Sequence, residues 1–241
     1  MDAVPSGILT LLRGAGNPVC PPLDPILTTV GHMCFSVAPK KRNYLIRSLF
    51  QSDNTSTPYV MQYWSNIVND LNWTQIWNLP YKYLITNKVR EISYKIIHRY
   101  YPAKQNLLKF KKDLCVNCSF CDSEPETVFH LFWHCHFTAT FWKEVIWYIS
   151  LKLVPDFSLF CKNIFFGIHD VKSMKQNELY IINLLILLGK YHIHRAKFSH
   201  SKPCFVVFQK EMEQYLQSIC DSNNKKAMRT YNLCTIFSVF L

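Results

Sequence analysis

Three cysteines and one histidine lie close together near the middle of the chain, with the spacing of a metal site. Cys118 and Cys121 are separated by two residues, His130 follows after eight more, and Cys135 after a further four. Two thiolates on a tight turn can bind one ion, and a following helix can supply the second pair of ligands. Three sulfur ligands and one nitrogen ligand favour tetrahedral Zn²⁺, with no position left for a substrate. The pattern therefore predicts a structural zinc site.

The segment between the two ligand pairs has the residues of a helix start. Ser123 can act as the N-cap, Pro125 suits the first turn, and Glu126 stands at the third position of a capping box. The predicted helix runs to about Cys135. The zinc module would then join a cysteine turn to a capped helix.

The fourth ligand is open on helix geometry alone. At about 100° per residue, His130 and Cys135 lie about 140° apart on an ideal α-helix, so Cys135 can bind only if the helix unwinds. His134, four residues after His130, would share its face without unwinding. Cys115 is another alternative, because it forms its own Cys-x₂-Cys pair with Cys118.

The chain start lacks the features of a secretory signal. Met1 to Gly7 contains an acid and no basic residue, and the apolar run that follows is short. We therefore expect an intracellular, reducing location, in the nucleus or cytoplasm, where clustered cysteines more often bind metal than form disulfides. The strongest apolar run, residues 179–188, is about half the roughly 20 residues that a bilayer requires, so we expect no membrane partner.

Basic residues outnumber acidic ones by 27 to 16, which gives a formal net charge of +11. Such an excess favours polyanionic partners, nucleic acid first. Between residues 82 and 112, where Glu91 is the single acid, the candidate nucleic-acid-binding residues are Lys88, Arg90, Lys95, Arg99, Lys104, Lys109, Lys111 and Lys112.

Five tyrosines are interleaved with these bases, and their rings could stack on unpaired bases. They are Tyr81, Tyr83, Tyr94, Tyr100 and Tyr101. The alternative is that the tyrosines belong to the core and the lysines are merely solvated. A second candidate basic patch comprises Lys190, His192, His194, Arg195 and Lys197. Nothing resembles base-specific readout, so we expect RNA or DNA binding without strong sequence specificity.

The sequence lacks the usual signatures of catalysis. It has no paired-aspartate motif for two-metal phosphoryl transfer, no glycine-rich phosphate loop and no serine nucleophile elbow. We therefore predict a protein that is not an enzyme and has no small-molecule substrate.

The apolar periodicity predicts a mainly α fold in three parts. Residues 1–58 are an irregular, proline-containing segment, 59–155 form a helical domain with the embedded zinc module, and 156–241 form a C-terminal helical region. Predicted helices begin at Tyr59, with an apolar face as far as Leu71, and cover 87–100, 137–151, 172–198 and the segment from Pro203 to about Cys220.

Short motifs along the chain resemble the zinc-binding segment of reverse transcriptases from LINE-type (non-LTR) retrotransposons. They are Ile76-Trp77, residues 88–98, Tyr101-Pro102, Cys118 with Cys121, Glu126-Thr127, residues 130–135 and Phe141-Trp142. Residues 189–194, Pro203, Phe208 and 211–215 resemble the C-terminal tail of vertebrate LINE polyproteins. The resemblance runs from about residue 73 to residue 220, and loosely from the start.

This resemblance implies a helical C-terminal domain that lies downstream of a polymerase and helps to bind template RNA or target DNA. It also favours Cys135 over His134 as the fourth zinc ligand.

Overall fold

The computed structural model describes residues 28–30, 33–35, 57–169 and 174–240. The chain divides into two compact units, Met1–Thr57 and Pro58–Leu241. In the first unit, β1 (Thr28–Val30) pairs antiparallel with β2 (Met33–Phe35). Most of the predicted irregular segment lies outside the described residues. The boundary predicted near residue 155 stays a prediction.

The second unit is helical, which confirms the predicted mainly α class. Its helices are α1 (Tyr59–Ser65), α2 (Trp73–Asn78), α3 (Asn87–Ile97), α4 (Lys104–Leu107), α5 (His136–Lys152), α6 (Cys161–Phe166), α7 (Gln176–Phe198), α8 (Phe205–Cys220) and α9 (Lys225–Ile236). A 3₁₀ turn (Leu79–Lys82) follows α2, and a π-helical turn (His130–His134) precedes α5. Within the described ranges, no helix is both long and apolar enough to cross a bilayer.

The core is built around α7, which is buried on nearly every side. Residues 179–187 of α7 are all buried, as expected for a helix that is apolar all round. It packs most extensively along α3 and also contacts α9. Because α3 has a single apolar face, its opposite face remains open to solvent.

Buried polar groups join elements that are far apart in sequence. Trp64 Nε1 on α1 donates to the carbonyl of Ile97 at 2.7 Å, and the Tyr83 hydroxyl donates to the carbonyl of Tyr180 at 2.9 Å. The Asn183 side chain accepts from the N–H of Ile168 and donates to its carbonyl. Each buried donor or acceptor in these links is satisfied, so none carries the desolvation penalty of an unpaired group.

Two predicted helices end earlier than the apolar pattern indicated. α1 stops at Ser65, well before Leu71, and the polar segment after it places Asp70 at φ 60°. α3 stops at Ile97, since Arg99 takes φ 61° and the N–H groups of Tyr100 and Tyr101 both turn back to the carbonyl of Lys95. At α3, the left-handed Arg99 ends the helix while the N–H groups after it satisfy one of its last carbonyls.

A substitution at Gly189 can test how tightly α5 and α7 pack. A Cβ at this position would lie 2.7 Å from Trp142 Cη2, and the indole is fixed because its N–H donates to the carbonyl of Phe132. We expect Gly189→Ala to cost about 3 kcal/mol in overpacking, more than the roughly 1 kcal/mol gained in helix propensity. Urea denaturation should show a net loss of about 2 kcal/mol in the free energy of unfolding. The exposed control Gln214→Ala should change it by less than about 0.5 kcal/mol.

Candidate metal centre

The first two ligands sit on a turn held by a short backbone ladder. Asn117 and Pro125 form an antiparallel bridge, the N–H of Cys118 donates to the carbonyl of Glu124 at 2.7 Å, and the N–H of Glu126 donates to Val116. The N–H of Phe120 points at Cys118 Sγ at 3.4 Å. Such an N–H donor stabilises a thiolate, so this contact favours the ligand form of Cys118 once a metal replaces the thiol proton.

The second pair of ligands sits on a π-helical turn. The N–H of Cys135 donates to the carbonyl of His130 at 2.7 Å, an i→i+5 bond, and Cys135 then leaves the helix with ψ 130°. In a π turn the hydrogen bond joins residue i to residue i+5, which brings residue i+5 closer to the face of residue i than an α-helix does. The unwinding that Cys135 needs to reach the site is therefore built into the backbone.

The predicted capping box is wrong. The hydroxyl of Ser123 donates to Cys121 Sγ at 3.2 Å instead of capping a helix, and Glu126 is buried. The helical turn begins later, where Thr127 Oγ1 accepts from the N–H of His130 at 2.8 Å. Residues 124–126 are hydrogen-bonded to residues 116–118 across the antiparallel bridge, so a helix cannot start at Ser123.

These elements bring Cys118, Cys121, His130 and Cys135 together, with all ligand atoms within 4.8 Å of one another. Cys118 Sγ lies 3.9 Å from Cys135 Sγ, and Cys121 Sγ lies 3.3 Å from His130 Nε2. Tetrahedral zinc with ordinary bond lengths places two sulfurs about 3.8 Å apart and a sulfur and a nitrogen about 3.6 Å apart. The group therefore fits a zinc ion with little rearrangement.

The competing ligands lie outside this group. His134 and Cys115 are both exposed, and neither belongs to the cluster. On the other side of the site, His130 Nδ1 lies 3.3 Å from Glu124 Oε2. This contact does not have hydrogen-bond geometry, but a carboxylate on this side favours a proton on Nδ1, the tautomer that leaves Nε2 free for a metal.

The thiols are electrostatically unequal. The hydrogen bond from Cys118 lowers the pKa of Cys135, and the same contact, with burial, raises the pKa of Cys118. Burial acts to raise the pKa of Cys121, but hydrogen bonds from Ser123 and His130 outweigh it and the pKa is lowered. Without a metal, Cys118 therefore holds its proton more tightly than Cys135 does. Zinc binding would displace this proton, because the ligand form is the thiolate.

The buried Glu126 carboxylate joins the metal turn to the rest of the fold. Its Oε2 accepts from the N–H and hydroxyl of Ser119, and its Oε1 accepts from the N–H of Lys104 at 2.9 Å. Lys197 on α7 places Nζ 2.7 Å from Oε1 and also donates to the carbonyl of Pro102. Burial acts to raise the pKa of Glu126, but the hydrogen bonds from Lys197 and Ser119 outweigh it, so the pKa is lowered.

The eight predicted nucleic-acid-binding residues have different surroundings. Lys88, Lys109, Lys111 and Lys112 are exposed, and no acidic side chain in the described parts of the chain pairs with them. The other four have internal partners: Arg90 donates to Asn87 and Tyr83, Lys95 pairs with Glu91 at 2.6 Å, Arg99 lies 3.7 Å over the Tyr63 ring, and Lys104 donates to Asn117.

The five tyrosines also divide between surface and core. Tyr83 and Tyr101 are buried, whereas Tyr81, Tyr94 and Tyr100 are exposed. Which of these tyrosines are buried depends on how neighbouring elements pack. Sequence periodicity alone does not predict that packing.

The second basic patch predicted on α7 is wrong as a surface. Lys190, His192 and Lys197 are buried, and His192 Nδ1 contacts Glu211 at 2.9 Å. Of the predicted group, Arg195 and the half-buried His194 reach the surface. These basic residues lie on α7, and neighbouring elements cover nearly every face of that helix.

We expect one zinc ion per chain, measured by elemental analysis. Cys118→Ser with Cys121→Ser, and Cys135→Ser alone, should lose the ion and melt the local module, since a structural zinc supplies about 10–16 kcal/mol. Cys115→Ser and His134→Ala are matched controls that should keep full zinc content. Loss of zinc from His134→Ala, with retention in Cys135→Ser, would overturn the ligand assignment.

The Glu126–Lys197 pair provides a second test. Glu126→Gln leaves the Lys197 charge buried without its counter-ion, so we expect a loss of about 3–5 kcal/mol in the free energy of unfolding. Chemical denaturation of the zinc-loaded protein measures it. Glu91→Gln, which removes the exposed partner of Lys95, is the control and should have little effect. Equal effects of the two variants would contradict a central role for Glu126.

The family model described as zinc-binding in reverse transcriptase matches residues 59–142, roughly a third of the chain. No curated protein and no solved structure is similar enough to the chain to count as a match. The matched range contains all four grouped ligands, and the family describes zinc binding rather than a polymerase active site. Residues 59–142 are thus similar to the zinc-binding domain of reverse transcriptases, and the Cys₃His group is where the ion would bind.

Proposed function

We propose that this chain is a non-catalytic nucleic-acid-binding module stabilised by a structural zinc ion. Its role would resemble that of the C-terminal part of a LINE-type retrotransposon reverse transcriptase, which assists in binding template RNA or target DNA. The partner would be RNA or DNA, bound through its backbone and unpaired bases without strong sequence specificity.

The exposed lysines between residues 88 and 112 carry this proposal. Lys88, Lys109, Lys111 and Lys112 have no acidic partner in the described ranges, so their charges face solvent uncompensated. Lysines of this kind neutralise phosphates and release counter-ions, which supplies most of non-specific nucleic-acid affinity.

Exposed rings in the same segment of the chain as these lysines support a preference for unpaired bases. The His98 ring has the rings of Trp77, Tyr94 and Tyr100 around it at centroid distances of 5.0, 4.0 and 6.2 Å. Tyr94 is 53% and Tyr100 73% exposed, so part of this aromatic surface is open. Bases of a single strand can stack on such rings, whereas bases inside a duplex are already stacked.

The zinc ion would act at a distance from the nucleic acid. Four protein ligands leave it no open coordination position, so it would hold the fold rather than perform chemistry. Through Glu126, the cysteine turn is joined to the N–H of Lys104 at the start of α4. Residues 109–112 follow α4 directly, so the ordered metal turn would fix the direction in which these lysines project.

A second candidate function is protein interaction by a transposon-derived remnant without nucleic-acid activity. An apolar groove of about 440 Å³ beside the π turn favours it, with Phe129, Trp133 and Phe160 among its lining residues. Ile67, also in this groove, is 51% exposed. Exposed apolar surface of this kind is typical of protein interfaces.

Salt dependence separates the two functions. We expect the zinc-loaded chain to bind fluorescent RNA or DNA oligonucleotides, with affinity falling about 10³-fold between 50 and 200 mM salt if it makes about six phosphate contacts. In fluorescence anisotropy, the triple variant Lys109→Gln, Lys111→Gln, Lys112→Gln should reduce the slope of log K against log salt by about 2 on single strands.

The matched control is a triple glutamine variant at Lys143, Lys152 and Lys210, which are exposed elsewhere on the chain. It removes the same charge but should leave the slope nearly unchanged. If the zinc-loaded chain shows no salt-sensitive binding to any oligonucleotide, the nucleic-acid function is wrong and the protein-interaction function is favoured.

A further inference from the structure

A groove on the solvent side of α3 and α7 brings positive charge and aromatic rings together. It has a volume of about 480 Å³. Lys88 and Lys95 reach it from α3, and Arg195 reaches it from α7. Because the two helices pack along each other, cations that are about a hundred positions apart in sequence line one cavity.

The α7 wall of the groove carries three rings at helical spacing. The rings of Tyr191 and His194 are nearly parallel at 6.1 Å, and His194 lies 4.7 Å from the ring of Phe198. Phe198 is 54% exposed, so a face of its ring is available at the open end of the series. His194 is held in place by its Nδ1 contact with the Tyr101 hydroxyl at 3.1 Å.

The His194 ring is uncharged at neutral pH. Burial lowers its pKa to about 4, assisted by the charges of Lys197 and Lys95. The ring series therefore presents a neutral stacking surface, while the positive charge of the groove comes from the lysines and the arginine around it.

The two cations of this groove that already have carboxylate partners can still contact a phosphate. Lys95 pairs with the exposed Glu91 at 2.6 Å, and Arg195 Nη1 pairs with Glu211 at 3.0 Å while the arginine stays 56% exposed. The exposed Lys95–Glu91 pair contributes little, so a phosphate can replace its carboxylate. Glu211 is only 23% exposed and also contacts His192, so a phosphate would share Arg195 with it rather than replace it. The guanidinium has further N–H donors that a single contact to Glu211 does not use.

An adjoining cavity extends the groove toward α8. It has a volume of about 420 Å³, shares Tyr191 and Arg195 with the groove, and is lined largely by apolar side chains such as Val89 and Met212. Ligand pockets commonly combine such an apolar volume with a few convergent polar groups. Anionic groups beside flat, apolar surface are the chemistry of a nucleotide strand.

We propose that the groove between α3 and α7 binds an unpaired stretch of nucleic acid, with phosphates on Lys88, Lys95 and Arg195 and a base stacked on Phe198. This inference rests on the proposed function and specifies its substrate as single-stranded. A duplex keeps its base faces stacked internally, so it cannot use the Phe198 ring.

The test is fluorescence anisotropy of the zinc-loaded full chain with a labelled oligo-U strand and with a labelled blunt-ended duplex of two separate strands, which has no unpaired loop. Phe198→Ala should weaken binding of the single strand about 5- to 150-fold and leave duplex binding unchanged. Phe198→Trp keeps a stacking face and should restore affinity. Lys88→Gln should reduce the salt slope on the single strand by about 0.7.

Phe160→Ala, at an exposed ring that lines a different cavity, is the matched control and should bind like the parent chain. Zinc content and melting temperature report whether each variant is folded. If the parent chain binds oligonucleotides but folded Phe198→Ala and Lys88→Gln bind equally well, the groove assignment is overturned and the proposed function stands. If the parent chain binds no oligonucleotide, both are overturned.

Discussion

The buried carboxylate of Glu126 is the point on which the metal turn, α4 and α7 all depend. An ionised group without solvent is unfavourable unless its oxygens are fully paired. Here one oxygen accepts from Ser119 on the cysteine turn, and the other contacts Lys104 and the ammonium of Lys197. Moving any of these three segments would leave part of a buried charge unpaired. The position of the zinc module is therefore coupled to that of residues 104–112, which carry four of the candidate basic residues.

The π turn at His130–His134 imposes a second constraint on the same site. Its i→i+5 bond brings Cys135 closer to the face of His130 and turns His134 toward solvent. A regular α-helix would have done the reverse. The arrangement is stabilised from outside the turn, because the Thr138 hydroxyl donates to the carbonyl of Leu131 and the Trp142 indole donates to that of Phe132. Helix α5 thus satisfies carbonyls in the π turn.

Basic residues of this chain have two distinct roles. Lys197 neutralises the buried carboxylate of Glu126, and Lys104 Nζ donates to the carbonyl of Asn117 beside the cysteine turn. Lys88 and Lys109, in contrast, face solvent, where their charge is available to a polyanion. Net charge alone therefore overstates the surface available for phosphate contacts. The proposed nucleic-acid function depends on the exposed subset, of which Lys88 lines the same groove as the exposed Phe198 ring.

The sequence by itself determined the mainly helical class and the residue types and spacing of a Cys₃His group, since both depend on local periodicity and on ligand chemistry. Tertiary structure decided which neighbour completes that group, because the departure of Cys135 from α-helical geometry comes from an i→i+5 bond. It also decided that Glu126 is a buried counter-ion rather than a capping residue, since its partner Lys197 is 71 positions away. Burial of a charge depends on elements that only folding brings together, so it leaves no periodic signal in the chain.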